Sequence, residues 1–558
     1  MDYRPEKYIS LDTENDPDGQ LGQWSIAFRG KDNQLCLLAE TRATRQRELS
    51  KLFDSCGVVF HNYKWDSRVL TRNNMPIPKS DHVFDTMIAA YCLGLSRQAP
   101  KDSGKAGDQM VGGLGLKYLA RRHLGMKMRT WEEVKDHPEW IPEYNADDSV
   151  STLLLWEKWK DKLPQHFWDI DMPLLPVLMG MEDRGICVDP LFLGEYSKVL
   201  DKQLSEITLP FDANNDGQIR KYLYEDLKIE PTQFTKINHL PSVAKDVLET
   251  IDDPVVKDLL KWNKLAQERN TYVKNYTKTM GPDSRIHAEF KQTSTSTGRP
   301  SAVNPNLYNV AKTDLRKLFV AGEGKWLVRY DASQIELRVL AAISQDPVML
   351  GVFARGEDIH QDTANRLHLS RDDAKVPNFL TSYGGTAWAI AKEFHITIEA
   401  AKEFQAAYFR AYPGVGMYMD RMREIAKRDK VVEDFFGRKR RLDAMFSEDW
   451  RIRQEGEKEA INMPIQATAS EIEKLVMINL HNVHHAPMLL HVYDEVLFEI
   501  DGSEKRAEEY ARWLESYVPT VPGTEINGVK FPVEVGWGRN WQEAAKKRNK
   551  DGSFKEKK

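Results

Sequence analysis

The hydrophobic patterning of the chain changes character several times. KYISLDTE (7–14) and WSIAFR (24–29) read as adjacent strands, and GVVFHN supplies a further short apolar strand. Helical spacing alternates with them at Trp65–Arg72 and Val83–Leu93. This order predicts an α/β domain with a mixed sheet over the first ~165 residues. The Gly/Ser/Lys-rich stretch Ser96–Gly113 reads as a loop. Residues 166–285 are mostly helical in pattern, punctuated by Pro and Gly. A buried strand, WLVRYDAS, opens 326–340 and runs into a helix, and a long helical block covers about 345–430. Two strand segments, LLHVYDEVLFEI (489–500) and KFPVEVGW (530–537), follow near the end, and no internal repeat is visible.

At 558 residues the chain needs at least two cores. Its 41% hydrophobic and 29% charged residues describe a folded, water-facing protein. No apolar run reaches the length that crosses a membrane, and the N-terminus has no targeting pattern, so no membrane partner is expected. The four cysteines (Cys36, Cys56, Cys92, Cys187) fit neither a zinc site nor a disulfide framework, which suits a reducing, cytoplasmic setting. The net charge of −5 gives no sign of a nucleic-acid partner, although binding depends on where the charges sit. Basic residues cluster at Gly437-Arg438-Lys439-Arg440-Arg441 and in the tail Lys546–Lys558, the latter reading as a solvated end.

One pattern is a decoy. Asp212-Ala-Asn214-Asn-Asp216-Gly217 copies the first half of a calcium loop, but its twelfth position is Leu223, where a bidentate Glu is needed. A polar turn capping the helix from Gln218 accounts for it.

Three other segments carry acids at meaningful spacing. Asp12 and Glu14, two apart at the end of a strand, share a face. Asp66, in NYKWD, falls one turn into a helix, and Tyr144 and Asp148 stand at i, i+4. Four converging carboxylates without a basic partner repel each other unless divalent cations neutralise them. Two magnesium-like ions at such a site activate a water and stabilise the leaving oxygen of a phosphodiester.

The second half repeats this logic. Asp331 ends the strand VRYD, and Asp494 sits in VYDEV, a tight hairpin between apolar strands, so the two could bridge two metal ions. One ion would activate a primer hydroxyl, and the other would hold a triphosphate. Arg371, Lys375, Phe379 and Tyr383, each four apart, predict a helical stripe of two cations and two aromatics. That order suits phosphates followed by a sugar and base.

The first set resembles the DEDDy 3′→5′ exonucleases, the RNase H-like proofreading domains of family A polymerases. DASQIELR, RDDAKVPNFLTSYGG and VYDEVLFEI resemble motifs A, B and C of the DNA polymerase I family. IDMPLLPVLMGMEDRGICVD (170–189) resembles the start of the thumb, and TSTGRPSAVNPNLYNV (295–310) resembles the segment that grips primer–template. DIHQDTA (358–364), AINMPIQATASEIEK (460–474) and FPVEVGWGRNWQEA extend the resemblance over most of the chain. It implies an α/β RNase H-like exonuclease domain (1–165) joined to an α+β right-hand polymerase domain (166–558). Within the latter, the thumb is expected at about 185–285, palm at about 286–345 and 445–545, and fingers at about 346–444.

The resemblance also carries roles. Asp12, Glu14, Asp66 and Asp148 correspond to metal ligands, with Tyr144 orienting the attacking water. Asp331 and Asp494 correspond to the polymerase metal ligands, with Glu495 accessory. Arg371, Lys375 and His360 correspond to triphosphate contacts, Lys375 also to a proton donor for the pyrophosphate. Gln334 belongs to the nucleotide site, Glu336 to a gate against the ribose 2′-hydroxyl, Phe379 to discrimination against dideoxynucleotides, and Tyr383 to stacking near the templating base. Arg299, Asn462 and Gln466 correspond to minor-groove and template contacts, and Tyr493 to a primer-terminus contact. The implied cofactor is Mg2+, two ions per site, with Mn2+ as a substitute. The implied partners are primer–template DNA and dNTPs.

Several positions depart from the family pattern. Ala332 replaces an aromatic, Tyr493 a His and Lys458 an Arg, and Pro377 inside motif B is expected to bend that helix. No 5′-nuclease segment is expected before the exonuclease pattern, and no large processivity insertion is expected in the thumb. Both suit a compact, monomeric phage replicase in a host cytoplasm; replisome partners such as a helicase or single-strand binding protein are not legible. The competing classes are a single-subunit RNA polymerase, disfavoured by Glu336 and the exonuclease pattern, and a silent DNA-binding scaffold, disfavoured by the intact carboxylates. A repair enzyme shares the same chemistry.

Overall fold

The computed structural model describes residues 7–15, 20–30, 32–41, 46–95, 113–235, 238–382 and 384–546, by backbone alone at 41 and 379–382. The N-terminal sheet has the order β3-β2-β1-β4-β5. Its strands are β1 (Tyr8–Asn15), β2 (Leu21–Arg29), β3 (Leu35–Thr41), β4 (Gly57–Phe60) and β5 (Val83–Asp85). β1 runs antiparallel to β2 and parallel to β4, so the sheet is mixed. Every residue of β4 is buried, which is why GVVF is continuously apolar: a parallel strand covered on both faces needs no polar side. Around the sheet pack helices α1 (Gln46–Ser55), α2 (Tyr63–Arg72), α3 (Thr86–Cys92), α4 (Leu116–Leu124) and α5 (Ile141–Trp159). Val83–Leu93 is therefore not one helix. Its first three residues pair with β4, and Asp85 then caps α3 by accepting from the Met87 and Ile88 amides. β3, unpredicted, is an edge strand whose Leu35 and Leu37 are exposed.

Helix α6 (Met172–Arg184) joins the two cores. Met172 and Leu175 pack with the N-terminal core, while Leu174, Val177, Leu178 and Met181 belong to the larger C-terminal one. A helix apolar on nearly all sides is buried on nearly all sides. Three short strands, β6 (Ile186–Val188), β7 (Arg285–Ile286) and β10 (Phe319–Val320), form a small sheet, and β8 (Glu289–Lys291) pairs with β9 (Ser301–Val303). In the 212–217 segment, Asn215 caps a helix that begins at Asp216 rather than Gln218, and Asp212 accepts from the Asn214 amide at 2.9 Å.

The C-terminal sheet, order β14-β15-β11-β16, is antiparallel throughout. It comprises β11 (Lys325–Ala332), β14 (Met488–Val492), β15 (Glu495–Asp501) and β16 (Val533–Gly538). After β11 comes α7 (Ile335–Ser344); α8 (Ile359–Leu367) and α9 (Lys375–Ser382) follow, then the hairpin β12 (Val431–Glu433) and β13 (Lys439–Arg441). A 35-residue helix, α10 (Trp450–His484), crosses the body; from Ala460 to Leu480 it is buried on nearly every side and so carried no amphipathic stripe to predict it by. Pro377 does not kink a helix interior. The helix starts at Lys375, so Pro377 lies in the first turn, where an amide has no intrahelical acceptor to lose. Arg371 accordingly precedes the helix instead of continuing its stripe. The basic run 437–441 is also not one surface patch: strand alternation buries Arg438 and Arg440 and leaves Lys439 and Arg441 exposed. The tail 547–558 and most of the loop 96–113 lie outside the described residues. Among the described residues, no helix is long and apolar enough to cross a membrane.

The two halves meet on buried charge. Asp171, fully buried just before α6, accepts from both Arg438 at 2.8 Å and His166 at 2.7 Å, and Cys92 Sγ lies 3.2 Å away. Lys474 is 3.5 Å from Asp171 and 3.0 Å from Glu471, which also accepts from Arg438 Nε at 2.6 Å. Burial opposes ionisation of Asp171, but Arg438 and then Lys474 outweigh it and hold the carboxyl well below the usual range. At the other end of α6, Glu182 pairs with Lys64 (2.7 Å) and Arg68 (2.9 Å) of α2. Arg438→Met leaves Asp171 and Glu471 sharing one lysine in a dry interior. It is expected to lower the unfolding free energy by ~3–5 kcal/mol. Urea titration followed by tryptophan fluorescence checks this; a loss under ~1 kcal/mol would mean the network is solvated instead.

Candidate active sites

Strand β1 presents Asp12 and Glu14 on one face, and α5 brings Asp148 opposite them. Ligand oxygens of these three lie within 4.8 Å of one another. Asp66 is beside them but turned toward β1's backbone: its Oδ1 accepts from the Thr13 amide (3.0 Å) and hydroxyl (2.8 Å). The turn into α2 that places it depends on Asn62 in the left-handed region and on Asp85, which accepts from the amides of Asn62 and Tyr63. Asp12 accepts from Asn145 Nδ2 at 2.6 Å.

The cluster does have a basic partner, contrary to the sequence-based expectation. Lys117 of α4 contacts Asp148 and stands 3.8 Å from the centre of the Tyr144 ring. One lysine does not balance four acids. Burial, then the neighbouring carboxylates, push Asp12 well above the carboxylate range. Burial followed by Asp148 lifts Glu14 to about 8. Burial raises Asp148 to about 6 against the pull of Lys117. Asp66 is raised mainly by burial, against its bonds from Thr13. Such a donor set, all oxygen and short of cations, suits a hard divalent ion. The trio Cys92, His166 and Asp171 is also close enough to hold a metal, but Arg438 and Lys474 already meet its charge.

The second site forms where β11 meets the β14–β15 turn. Asp331 faces Glu495 in register, and the Ala332 amide donates to the Asp494 carbonyl at 2.8 Å. Tyr493 and Asp494 occupy the turn, Tyr493 with φ 59° and half exposed. Burial, then Asp331, lifts Asp494 to about 6. Asp331 is raised chiefly by burial, against Arg329, which contacts it. Glu495 is 2% exposed and fully engaged, by Arg329 (3.0 Å), Arg316 (3.3 Å) and the Trp541 indole N–H. That places it in a supporting position behind the two aspartates.

A cavity of about 400 Å3 opens in front, lined by Arg299, Gln334, Glu336, Tyr493 and Asp494. Glu473 of α10 also lines it; its Oε2 accepts from Tyr330 Oη at 3.1 Å, and burial followed by Asp494 raises it well above the usual range. Arg299 pairs with Glu336, and Gln334 Nε2 reaches Asp358 at 3.4 Å. Asp358 also accepts from Arg371 Nε at 3.0 Å, while Lys375 pairs with Asp372 at 2.7 Å. His360 is buried, with Nδ1 2.9 Å from Asn378 Nδ2, and burial lowers its pKa. Lys458, Asn462 and Gln466 rise along one half-buried face of α10, and Asn462 Oδ1 is buried without a hydrogen-bond partner. Gly384 (φ +68°) lets the segment after α9 approach this face: a Cβ there would sit 3.3 Å from the Lys458 Cα. The Phe379 side chain and Tyr383 lie outside the described residues. Sequence reading passed over Lys117, Asn145, Arg329 and Glu473. Asn145, next to Tyr144, and Arg329, two residues before Asp331 on one strand, had sequence neighbours that could have flagged them.

The sequence matches DNA polymerase family A over residues 193–543 and a 3′-5′ exonuclease family over residues 1–164. It is 30% identical over 506 residues to a thermostable DNA polymerase I of Thermus aquaticus, covering 85% of this chain and 56% of that protein. It is 30% identical over 526 residues to DNA polymerase I of Pseudomonas aeruginosa, covering 86% and 56%. The chain thus spans about half the length of the curated relatives it matches. The fold is similar to a solved structure of the POL domain of Pol1 from M. smegmatis in complex with DNA primer–template and dNTP. The TM-score is 0.81 at 24% identity, covering 96% of each chain.

The raised carboxyls at the first site set a pH dependence. Between the ordinary 4.5 of Glu14 and its folded value near 8, the folded state binds more protons than the unfolded one, so stability falls as pH rises through that window. Asp148 adds the same sign between 3.8 and about 6. Chelator-treated protein should therefore melt at a lower temperature at about pH 8 than at about pH 5.5, and added Mg2+ should recover more at the higher pH. Differential scanning calorimetry of wild type beside Asp12→Asn/Glu14→Gln checks it. The double variant should lose most of both effects; equal slopes for the two proteins would refute the assignment.

Proposed function

The chain belongs to DNA polymerase family A, and from that membership we propose that it copies a DNA template by extending a primer from dNTPs and trims 3′ ends at a separate site. The observation that carries the proposal is the presence of two carboxylate centres on unrelated scaffolds, each short of cations and each beside groups suited to a phosphodiester. We assign the exonuclease to 1–165 and the polymerase to 166–558, with thumb, palm and fingers as the motif order suggests.

In the exonuclease, Asp12, Glu14, Asp66 and Asp148 would hold the metal ions, and Tyr144 orients the attacking water. In the polymerase, Asp331 and Asp494 would hold them, backed by Glu495. Two Mg2+ ions at either site, or Mn2+ in their place, would supply Lewis-acid activation of the attacking oxygen and stabilisation of the departing one. The chain's own residues bind and orient. Arg371, Lys375 and His360 receive the triphosphate, the first two exchanging Asp358 and Asp372 for phosphate oxygens. Phe379 and Tyr383 meet the sugar and base, Gln334 and Glu336 close the sugar side, and Arg299, Asn462, Gln466 and Tyr493 read the shape of the primer–template end. Most of the affinity for DNA then comes from its phosphates and falls as salt rises. A frayed primer end leaves the duplex and reaches the exonuclease as a single strand.

Primer extension tests the whole reading with wild type, Asp331→Ala and Asp12→Ala, on a labelled primer–template with Mg2+, with and without dNTPs. Asp331→Ala should lose extension by at least ~100-fold and keep primer shortening, and Asp12→Ala the reverse. Wild type that shortens primers but never extends them would reduce the C-terminal half to a DNA-holding body.

A further inference from the structure

The arm 289–303 carries Arg299 into the polymerase cavity, yet its own two strands pair over only three residues, from Glu289 opposite Val303 to Lys291 opposite Ser301. So short a hairpin does not hold a loop by itself. Much of what does hold it comes from the N-terminal half. At the base, Lys64 Nζ donates to the Phe290 carbonyl at 2.7 Å, and Glu182, clasped by the same lysine, accepts from the Phe290 amide at 2.6 Å. Lys64 lies two residues before Asp66 on α2. At the tip, Tyr91 Oη of α3 donates to the Thr295 carbonyl at 2.7 Å, and Thr295 Oγ1 donates to the Arg299 carbonyl at 2.6 Å. Two arginines hold it as well: Arg440 bonds Ser296, and Gly298 lies so near Arg438 that a Cβ would stand 2.8 Å from its Nε. The loop thus rests on Tyr91 and on the Arg438–Glu471 pair together, the Arg438 guanidinium lying 5.4 Å from the centre of the Tyr91 ring.

We propose that the exonuclease half is a positioning part of the polymerase site: Lys64 and Tyr91 register the arm 289–303, and Tyr91, through Thr295, sets where Arg299 meets Glu336. This rests on the two-activity reading above. The arm is then the element both activities share, anchored at its base by the helix that bears Asp66 and ending in the residue that faces the primer–template end. When the arm loosens, Arg299 holds that end less well, and more of the ends cross to the exonuclease. Tyr91 and Lys64 touch no substrate; they act through the arm.

The test measures extension and shortening of one matched primer–template in the presence of dNTPs, with shortening of a single-stranded oligonucleotide as the internal control. Tyr91→Phe removes one hydroxyl, and Thr295→Val removes the next link if the first variant folds poorly. Each should lower the ratio of extension to shortening on the duplex about fivefold, the size of one lost hydrogen bond, while single-strand shortening stays within twofold of wild type (~2). In an Arg299→Ala background Tyr91→Phe should change the ratio by less than about twofold, because its route is already cut. An unchanged ratio with a lowered melting temperature, or a full fivefold effect in the Arg299→Ala background, overturns the proposal and leaves Tyr91 a structural residue. Wild type unable to extend any primer overturns the functional reading itself, a result the wild-type lane reports separately.

Discussion

A carboxylate taken out of water must gather cations, and Asp171 and Glu182 do so from opposite directions along the chain. Asp171 draws His166 from one side and Arg438 and Lys474 from the other. Glu182 draws Lys64 and Arg68 from α2 while holding the Phe290 amide of the arm. Both acids flank or lie on α6, whose apolar side chains are divided between the two cores. The placement of α2, and with it Asp66, follows from this clasp. So does the placement of the hairpin β12–β13 against α10, and of the loop that runs between them.

The same electrostatic problem recurs at each site and is met the same way. Lys117 sits against Asp148, and Arg329 against Asp331 and Glu495. Around α8 and α9 the signs invert: Arg371 and Lys375 hold Asp358 and Asp372. Several of the charged groups at these sites thus have a resident partner of opposite sign. On the proposed roles, binding a metal ion or a triphosphate would exchange one ion pair for another at these groups instead of neutralising a bare charge. The exchange is incomplete at the acids, since one lysine faces four carboxyls and Glu14 remains near 8.

What could be read from the sequence is what local geometry encodes. Asp12 with Glu14, and Tyr144 with Asp148, were legible because strand and helix periods fix which neighbours share a face. Asp331 and Asp494 were legible from the strand–turn context of each. The long-range partners were not: Lys117 and Glu473 acquire meaning only when α4 and α10 meet the acids in space, whereas Arg329, two residues before Asp331 on β11, shares its face and was passed over. The network around Asp171 escaped for the same reason, and Arg438, noted in the sequence only as part of a local basic run, is buried. Pro377 misled because the helix boundary, which decides whether a proline costs a hydrogen bond, lies only two residues upstream of it. Val83–Asp85 was lost to a helix because tertiary pairing with β4 overrides a short local pattern.

Buried ion pairs are a poor way to gain stability, since well-packed apolar side chains of similar volume often do as well. Their persistence between the two halves calls for a different reason, and geometry supplies one. Apolar contact is indifferent to direction, and two greasy faces can slide by an ångström at little cost. A guanidinium bonded at 2.8 Å to both oxygens of Asp171 and at 2.6 Å to Glu471 cannot. Gly298 packs directly against that guanidinium, with no room even for a methyl group. The position of the loop bearing Arg299 is therefore constrained by a directional contact, beside the bond it receives from Tyr91. A slip of the interface would carry straight into the cavity where Arg299 meets Glu336, and it is that register, more than net stability, that the buried charges secure.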